Sequence, residues 1–373
     1  MKWNKKEILI GSLMFILSIA VTVIVVEIGF TFFSTPEYRR ARYQNYFDVL
    51  QWDQSRTQFD PLLGFITRSN LDFAFRNDEF STTFRTNSEG YRDDEASLDH
   101  PKILLFGDSF GIGWGVEAED TAATWIEEKT GKRVLNMSVS GYGTVQQFLL
   151  LQRYCEIEGA TGCETVFLYY MNDRLENRAP PGGMFPALVK KGGSIYFTEP
   201  VEEAVNDCIR SNSQNFTTFL CRHSAVLDLV LSRYAHPRKN WQKRMYIEYV
   251  ENQKENLSPY GTPLGEIEIF EYTVRLIRRL GEENGFRSRF VFLPFYGYYL
   301  GDNKNRPYAE EERVLRDLEV PFINPLERFT ASDYYDLDGH FKPSGQRKLG
   351  EVVAEFLASD PRIPDTSSEI QGL

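Results

Sequence analysis

The sequence predicts a layered α/β domain carried on one N-terminal membrane-spanning helix, and three observations predict it. Five short apolar runs, residues 102–106, 133–136, 165–170, 289–294 and 320–323, are rich in branched and aromatic side chains and read as buried parallel strands. Helical stretches at 121–129, 145–158, 267–283, 310–318 and 344–358 alternate with them, which implies helices layered on a parallel sheet through right-handed crossovers. Ahead of these, residues 8–26 are 19 consecutive positions without a charge.

As a helix rising about 1.5 Å per residue, that segment spans roughly 28 Å, the thickness of a bilayer core. Glu27 interrupts it, and Ile28 to Phe33 resumes with Phe30, Phe32 and Phe33, an aromatic band suited to the head-group level. The expectation is an uncleaved anchor that meets the lipid bilayer through residues 8–33. A cleaved signal peptide has a shorter apolar region ending in small residues, whereas Phe32-Phe33-Ser34-Thr35-Pro36-Glu37 follows here. A buried core helix would show a polar face. Lys2, Lys5 and Lys6 precede the span and Arg39, Arg40 and Arg42 follow it, so basic side chains alone leave the orientation tied. The charge of the amino terminus and the closeness of its lysines lean towards a single pass through the cell (inner) membrane with the domain outside the cytoplasm.

The 373 residues carry a net charge of −11, and residues 1–33, with three Lys against Glu7 and Glu27, contribute +1. The remainder therefore holds −12, which argues against nucleic acid as a partner. Hydrophobic residues at 42% and aromatics at 14% exclude a disordered chain. Four Cys are too few for a disulfide scaffold, and no CxxC spacing marks a zinc or redox site; no metal and no cofactor is expected. Cys155 and Cys163, and Cys208 and Cys221, are close enough in sequence for two local disulfides in an oxidising compartment. Other connectivities, or four buried thiols, are the alternatives.

Residues 34–100 mix aromatic and polar residues and read as a lead-in of short strands and turns. Residues 101–373 form the α/β domain, with an insertion at about 178–265 that contains Pro180-Pro181-Gly182-Gly183 and a helix around residues 217–234. No internal repeat is visible.

Ligands of α/β sheets sit at the carboxyl ends of the strands, so the loops there are where chemistry is sought. Gly107-Asp108-Ser109-Phe110-Gly111 follows the first run and offers a Ser hydroxyl on a tight turn. Asn136 to Ser140, then Gly141-Tyr142, follows the second, with Gly141 able to bring its backbone close to a ligand. Tyr170-Met171-Asn172-Asp173 follows the third, with an amide donor at Asn172. Near the C-terminus, Asp336-Leu337-Asp338-Gly339-His340 sets carboxylates beside a His, as an orienting acid and general base for a Ser would require.

Each block alone is an ordinary turn or cap, but the four in this order resemble the SGNH, or GDSL-type, hydrolases over residues 102 to about 358. The resemblance implies a flavodoxin-like three-layer α/β/α fold and an acyl-serine intermediate. By position, Ser109 would be the nucleophile, His340 the base and Asp338 its orienting acid, with Asp336 in reserve. The Ser109 and Gly141 amides and the Asn172 side chain would form the oxyanion hole. One departure stands: the family acid lies three residues before the His, where this chain has Leu337. Should neither Asp reach His340, a dyad remains.

Gly107-x-Ser109-x-Gly111 also fits the nucleophile elbow of α/β-hydrolases, but that elbow follows several strands and places acid and His on separate loops. The lead-in resembles that of membrane-anchored SGNH proteins of bacterial surface glycans, in Phe59 to Gly64 and Thr86 to Arg92. Tyr142, Tyr296 and Tyr298, with Tyr299, are candidates for a sugar-facing wall, against ordinary packing. His100, His223 and His236 carry no motif and read as structural. The function expected is a membrane-anchored serine esterase or acyltransferase acting on an acylated glycan or small ester. A non-catalytic SGNH-like module that scaffolds polysaccharide assembly is the alternative.

Overall fold

A computed structural model describes residues 5–46, 50–211, 216–231, 260–301 and 307–359. Two compact units divide the chain, one made of residues 1–48 with 212–242 and the other of 49–211 with 243–373.

In the first unit, α1 (Lys5–Phe33) is unburied over its apolar length, and its stretch Lys6–Phe30 has a mean hydropathy of 2.8. That helix is long and apolar enough to cross a membrane. Helix α2 (Pro36–Tyr46) follows, and among the described residues helices Phe216–His223 and Ala225–Leu231 belong to the same unit. The break between the last two falls at Ser224, where the sequence suggests one continuous helix to 234; residues 232–234 lie outside the described ones. Glu27, which interrupts the apolar run, has a local role. Its carboxylate accepts the Ala225 N–H at 3.1 Å, the Val226 N–H at 3.0 Å and the Ser224 hydroxyl, capping a helix whose first amides lack partners within it.

The second unit begins with two hairpins, β1 (Thr57–Asp60) with β2 (Gly64–Thr67), and β3 (Asp72–Arg76) with β4 (Ser81–Arg85). The central elements are β5 (Ile103–Phe106), α3 (Ala122–Thr130), β6 (Val134–Asn136), α4 (Thr144–Ile157) and β7 (Glu164–Tyr169). The insertion then supplies β8 (Ala187–Lys191), β9 (Ser194–Thr198), α5 (Glu202–Ser211) and the two-residue β10 (Thr262–Pro263), with β8 paired antiparallel to both other strands. The core resumes with α6 (Glu266–Asn284), β11 (Arg287–Phe292), α7 (Ala309–Asp317), β12 (Phe322–Ile323) and α8 (Pro343–Ala358).

Five parallel strands form one sheet in the order β12-β11-β7-β5-β6. Counted within the sheet this is 2-1-3-4-5, the flavodoxin-like order, whose switch point lies between the first and third strands. Here that is the gap between β5 and β7. Alternation along the strands divides the core. Ile103, Leu105, Val166, Leu168 and Val291 face α3 and α8. On the opposite face Phe106, Phe167 and Phe290 stack across three strands at centroid spacings of 5.0 and 5.1 Å, and Tyr169 packs on Phe270 of α6. Fully buried strands explain why the sequence shows continuous apolar runs and not alternation.

Candidate active site

The turn after β5 is built by its own residues. Asp108 accepts the Phe110 N–H at 2.9 Å, and the Trp114 N–H returns to the Ser109 carbonyl at 3.1 Å. Gly111 is required sterically: a Cβ there would lie 2.3 Å from Ser138 Oγ. Asn136, at the end of β6, donates to the Gly111 carbonyl at 3.0 Å. Gln346 of α8 donates to the Phe110 carbonyl at 2.8 Å and accepts the Ala122 N–H at 2.9 Å. The nucleophile turn is thus fastened to β6, α3 and the C-terminal helix.

The loop before α8 curls back on itself, with the Tyr335 N–H donating to the His340 carbonyl at 2.8 Å. It brings His340 Nε2 to 2.7 Å from Ser109 Oγ, while His340 Nδ1 is hydrogen-bonded to Asp338 Oδ1. With the ring proton on Nδ1, the imidazole donates to the carboxylate and its Nε2 accepts the Ser hydroxyl. The His340 ring lies against Trp114, 5.0 Å away and nearly parallel, and against Phe110 at 4.8 Å. Asp338 Oδ2 accepts Trp114 Nε1 at 3.2 Å and Asn77 Nδ2 at 3.1 Å. Burial alone would raise the Asp338 pKa, but His340, Trp114 and the backbone hold its carboxyl below the usual range. The acid two residues before the His therefore reaches it. Asp336 does not: its side chain is 73% exposed and faces Lys342 at 3.8 Å and the Tyr296 hydroxyl at 3.3 Å.

Gly141 adopts φ +83°, and a Cβ there would meet Gln51 Nε2 at 2.8 Å. Gln51 in turn accepts the Ser140 hydroxyl at 2.9 Å. Asn172 ends the loop after β7, where its amide nitrogen donates to Glu176 Oε1 at 3.1 Å. Two carboxyls lie beneath. Asp108 is fully buried and pushed up by that burial, against the Phe110 amide and the Asn172 side chain. Asp173 is pushed well up by burial and by Asp108, although Thr144 donates to it at 2.9 Å.

No family model matches the chain, and no curated protein matches it. Among solved structures it is similar to a lipolytic protein of the G-D-S-L family from Desulfitobacterium hafniense DCB-2, at 9% identity and TM-score 0.35, covering 69% of this chain and 99% of that one. A GDSL-like lipase from Bacteroides thetaiotaomicron VPI-5482 matches at 10% identity and TM-score 0.31 over 68% of this chain and 85% of that one. A two-domain esterase active on acetylated mannans matches at 12% identity and TM-score 0.34, over 71% of this chain and 52% of that one. At such identities the strand order carries the fold assignment, and the site stands on its own geometry.

Two expectations are corrected. Tyr142 is no sugar-facing wall: it is fully buried, its ring packs edge-on against Phe65 at 5.4 Å, and its hydroxyl donates to the Phe65 carbonyl. None of the four cysteines is in a disulfide. The Cys163 thiol donates instead to the Pro101 carbonyl at 3.4 Å, and burial raises Cys155, on α4, to about 11. Tyr296 and Tyr298 lie beyond β11, half-buried, Tyr296 stacked on Tyr334 at 5.3 Å and Tyr298 set edge-on to Tyr299.

Sequence reasoning missed Trp114 and Asn77, which complete the Asp338 shell, and it undervalued Arg92. Arg92 is 5% exposed and donates to the carbonyls of Ile112 at 3.0 Å and Val116 at 2.5 Å, with its guanidinium over the Phe84 ring. It props the loop that carries Trp114. Burial lowers its pKa to about 10. The loop order Thr86 to Arg92 was the available signal.

Proposed function

We propose that the protein is an SGNH-type serine esterase or acyltransferase, with Ser109 as nucleophile, His340 as base and Asp338 as orienting acid. The observation that carries this is the unbroken hydrogen-bonded chain from Ser109 Oγ through His340 to Asp338. A hydroxyl so held is activated by transfer of its proton to Nε2 as Oγ attacks an acyl carbonyl. The imidazolium formed is stabilised by Asp338 and returns the proton to the departing alkoxide, leaving an acyl-serine. A second hydroxyl compound then gives its proton to Nε2 as it attacks the acyl carbon, and the imidazolium passes that proton to Ser109 Oγ as the acyl–Oγ bond breaks. If it is water the reaction is hydrolysis, and if it is a sugar hydroxyl it is transfer. The negative oxygen of each tetrahedral intermediate would be met by the Ser109 and Gly141 N–H groups and by Asn172.

An anchored enzyme of this kind suits O-acyl groups on an extracytoplasmic glycan or similar envelope substrate. The apolar helix Lys6–Phe30 supports the anchoring, and the half-buried Tyr296, whose hydroxyl donates to Asp336 at 3.3 Å on the loop that carries His340, offers an aromatic ring beside that loop. The test is hydrolysis of a short-chain aryl ester by purified full-length protein. Ser109→Ala and His340→Ala should each reduce kcat/KM to background while leaving the fold intact; activity unchanged in both would refute the proposal.

A further inference from the structure

The β3–β4 hairpin belongs to the lead-in, a region whose sequence suggests only short strands and turns. Its tip is Asn77-Asp78-Glu79-Phe80. Asn77 Oδ1 accepts the N–H groups of Glu79 at 2.8 Å and Phe80 at 3.0 Å, and the Asn77 N–H closes the turn on the Phe80 carbonyl at 2.9 Å. Such a side-chain-closed turn fixes its residues without help from a neighbour. With its oxygen committed, the Asn77 side chain presents its nitrogen outward, and that nitrogen donates to Asp338 Oδ2 at 3.1 Å.

Glu79 reaches the same loop from the same tip. Its Oε1 accepts the Asp336 N–H at 2.8 Å, and its Oε2 accepts those of Leu337 at 3.0 Å and Asp338 at 2.7 Å. Three successive amides converge on one carboxylate, the arrangement by which a backbone concavity holds an anion. Charge-assisted bonds of this kind are roughly twice as strong as neutral ones. Packing follows the same line: Phe80 lies 5.3 Å from Tyr335, whose hydroxyl donates to the Gly115 carbonyl at 2.8 Å, and Phe75 meets Trp114 edge-on at 4.7 Å.

The position of the acid gives this clamp its use. Asp338 stands two residues before His340, across Gly339 at φ +85°, so acid and base share one tight turn. In so short a turn the direction of the Asp338 amide plane decides whether the carboxylate faces Nδ1 or solvent. We propose that Glu79 and Asn77 are positioning residues for the Ser109–His340–Asp338 relay, Glu79 by fixing the backbone of the acid's loop and Asn77 by fixing its carboxylate. The lead-in hairpin is then part of the catalytic assembly. This deepens the esterase reading and rests on it for turnover, whereas the predicted effect on the His340–Asp338 bond does not depend on that reading.

The test uses the full chain with Glu79→Ala, Glu79→Gln and Asn77→Ser, and Asp78→Ala as a control in the same turn. Two quantities are read: kcat and KM for an aryl ester, and the low-field proton resonance of His340 Nδ1–H, assigned by its loss in His340→Gln. Glu79→Ala should lower kcat about 10- to 100-fold, a fraction of the ~10⁴-fold loss when a triad acid is disabled outright, with KM within about twofold. Its low-field resonance should vanish or move upfield. Glu79→Gln keeps one acceptor oxygen and should fall between Ala and wild type, and Asp78→Ala should match wild type. A folded Glu79→Ala with kcat and resonance unchanged would overturn the proposal. If Glu79→Ala does not fold, Glu79→Gln and Asn77→Ser decide, and wild-type values in both overturn it. If the wild type hydrolyses no ester, the esterase reading falls, and the resonance in the variants still decides the positioning claim.

Discussion

Replacing Asp338 by Asn changes one atom of the site, and the surroundings dictate which way the new amide must turn. Asp338 Oδ2 faces two donors that cannot become acceptors in place: Trp114 Nε1, and Asn77 Nδ2, whose partner oxygen is committed to its own turn. Oδ1 faces His340 Nδ1 and, at 3.3 Å, the His340 backbone N–H. Only the imidazole nitrogen among these four can give up its proton. The carbonyl of the substituted amide should therefore turn to Trp114 and Asn77, and its NH₂ to His340. That forces the proton onto Nε2, where it faces Ser109 Oγ and blocks proton uptake. A base held in the wrong tautomer costs roughly 10³- to 10⁴-fold, or about 4–5.5 kcal/mol of transition-state stabilisation. Asp336→Asn, in an exposed side chain, should change the rate by no more than about threefold. The assay is kcat/KM on an aryl acetate, with thermal unfolding as the check on the fold. Asp338→Asn within tenfold of wild type, or Asp336→Asn the more damaging, would refute the assignment.

Other consequences are open to measurement. Gly111→Ala drives a Cβ to 2.3 Å from Ser138 Oγ and should cost about 1–3 kcal/mol in denaturant unfolding; pairing it with Ser138→Gly should recover most of that. Asp93 is raised to about 6 by burial, against the Asn136 N–H it accepts at 2.8 Å. A carboxyl raised on folding binds more protons in the native state between its ordinary value near 4 and 6, so its contribution falls as pH rises through that window. Asp93→Asn should flatten that fall and stabilise the protein at pH 7 by about 1–3 kcal/mol; a stability–pH curve unchanged between pH 4 and 7 would contradict this. Arg92→Ala leaves several buried carbonyls without their donor and should destabilise by about 2–4 kcal/mol in the same unfolding assay.

The parallel sheet was legible because its five strands are buried on both faces and so appear as unbroken apolar runs, with helices between them. Ends were less so: the fourth strand runs Arg287–Phe292 and not 289–294, because pairing with β7 begins at Arg287↔Glu164, a register no local pattern records. Ser109, Asn172 and His340 could be picked out because each follows a strand or precedes a helix in a short polar loop. Asn77, Glu79 and Trp114 could not, since a hairpin tip and a loop near the C-terminus are joined only in space. Tyr142 misled for a related reason: its neighbour Gly141 lies in the loop between β6 and α4, but residue 142 turns inward onto Phe65. The cysteine pairs were near in sequence, yet nearness along a chain does not orient two Cβ atoms towards one another.

The most direct test of the account is covalent labelling of the full-length protein with an organophosphonate, followed by mapping of the modified residue. Ser109 lies at the 2.7 Å contact with His340 Nε2, so one adduct is expected, on Ser109, with rapid labelling in wild type and little in His340→Ala. Labelling elsewhere, or none in a folded wild-type protein, would contradict it.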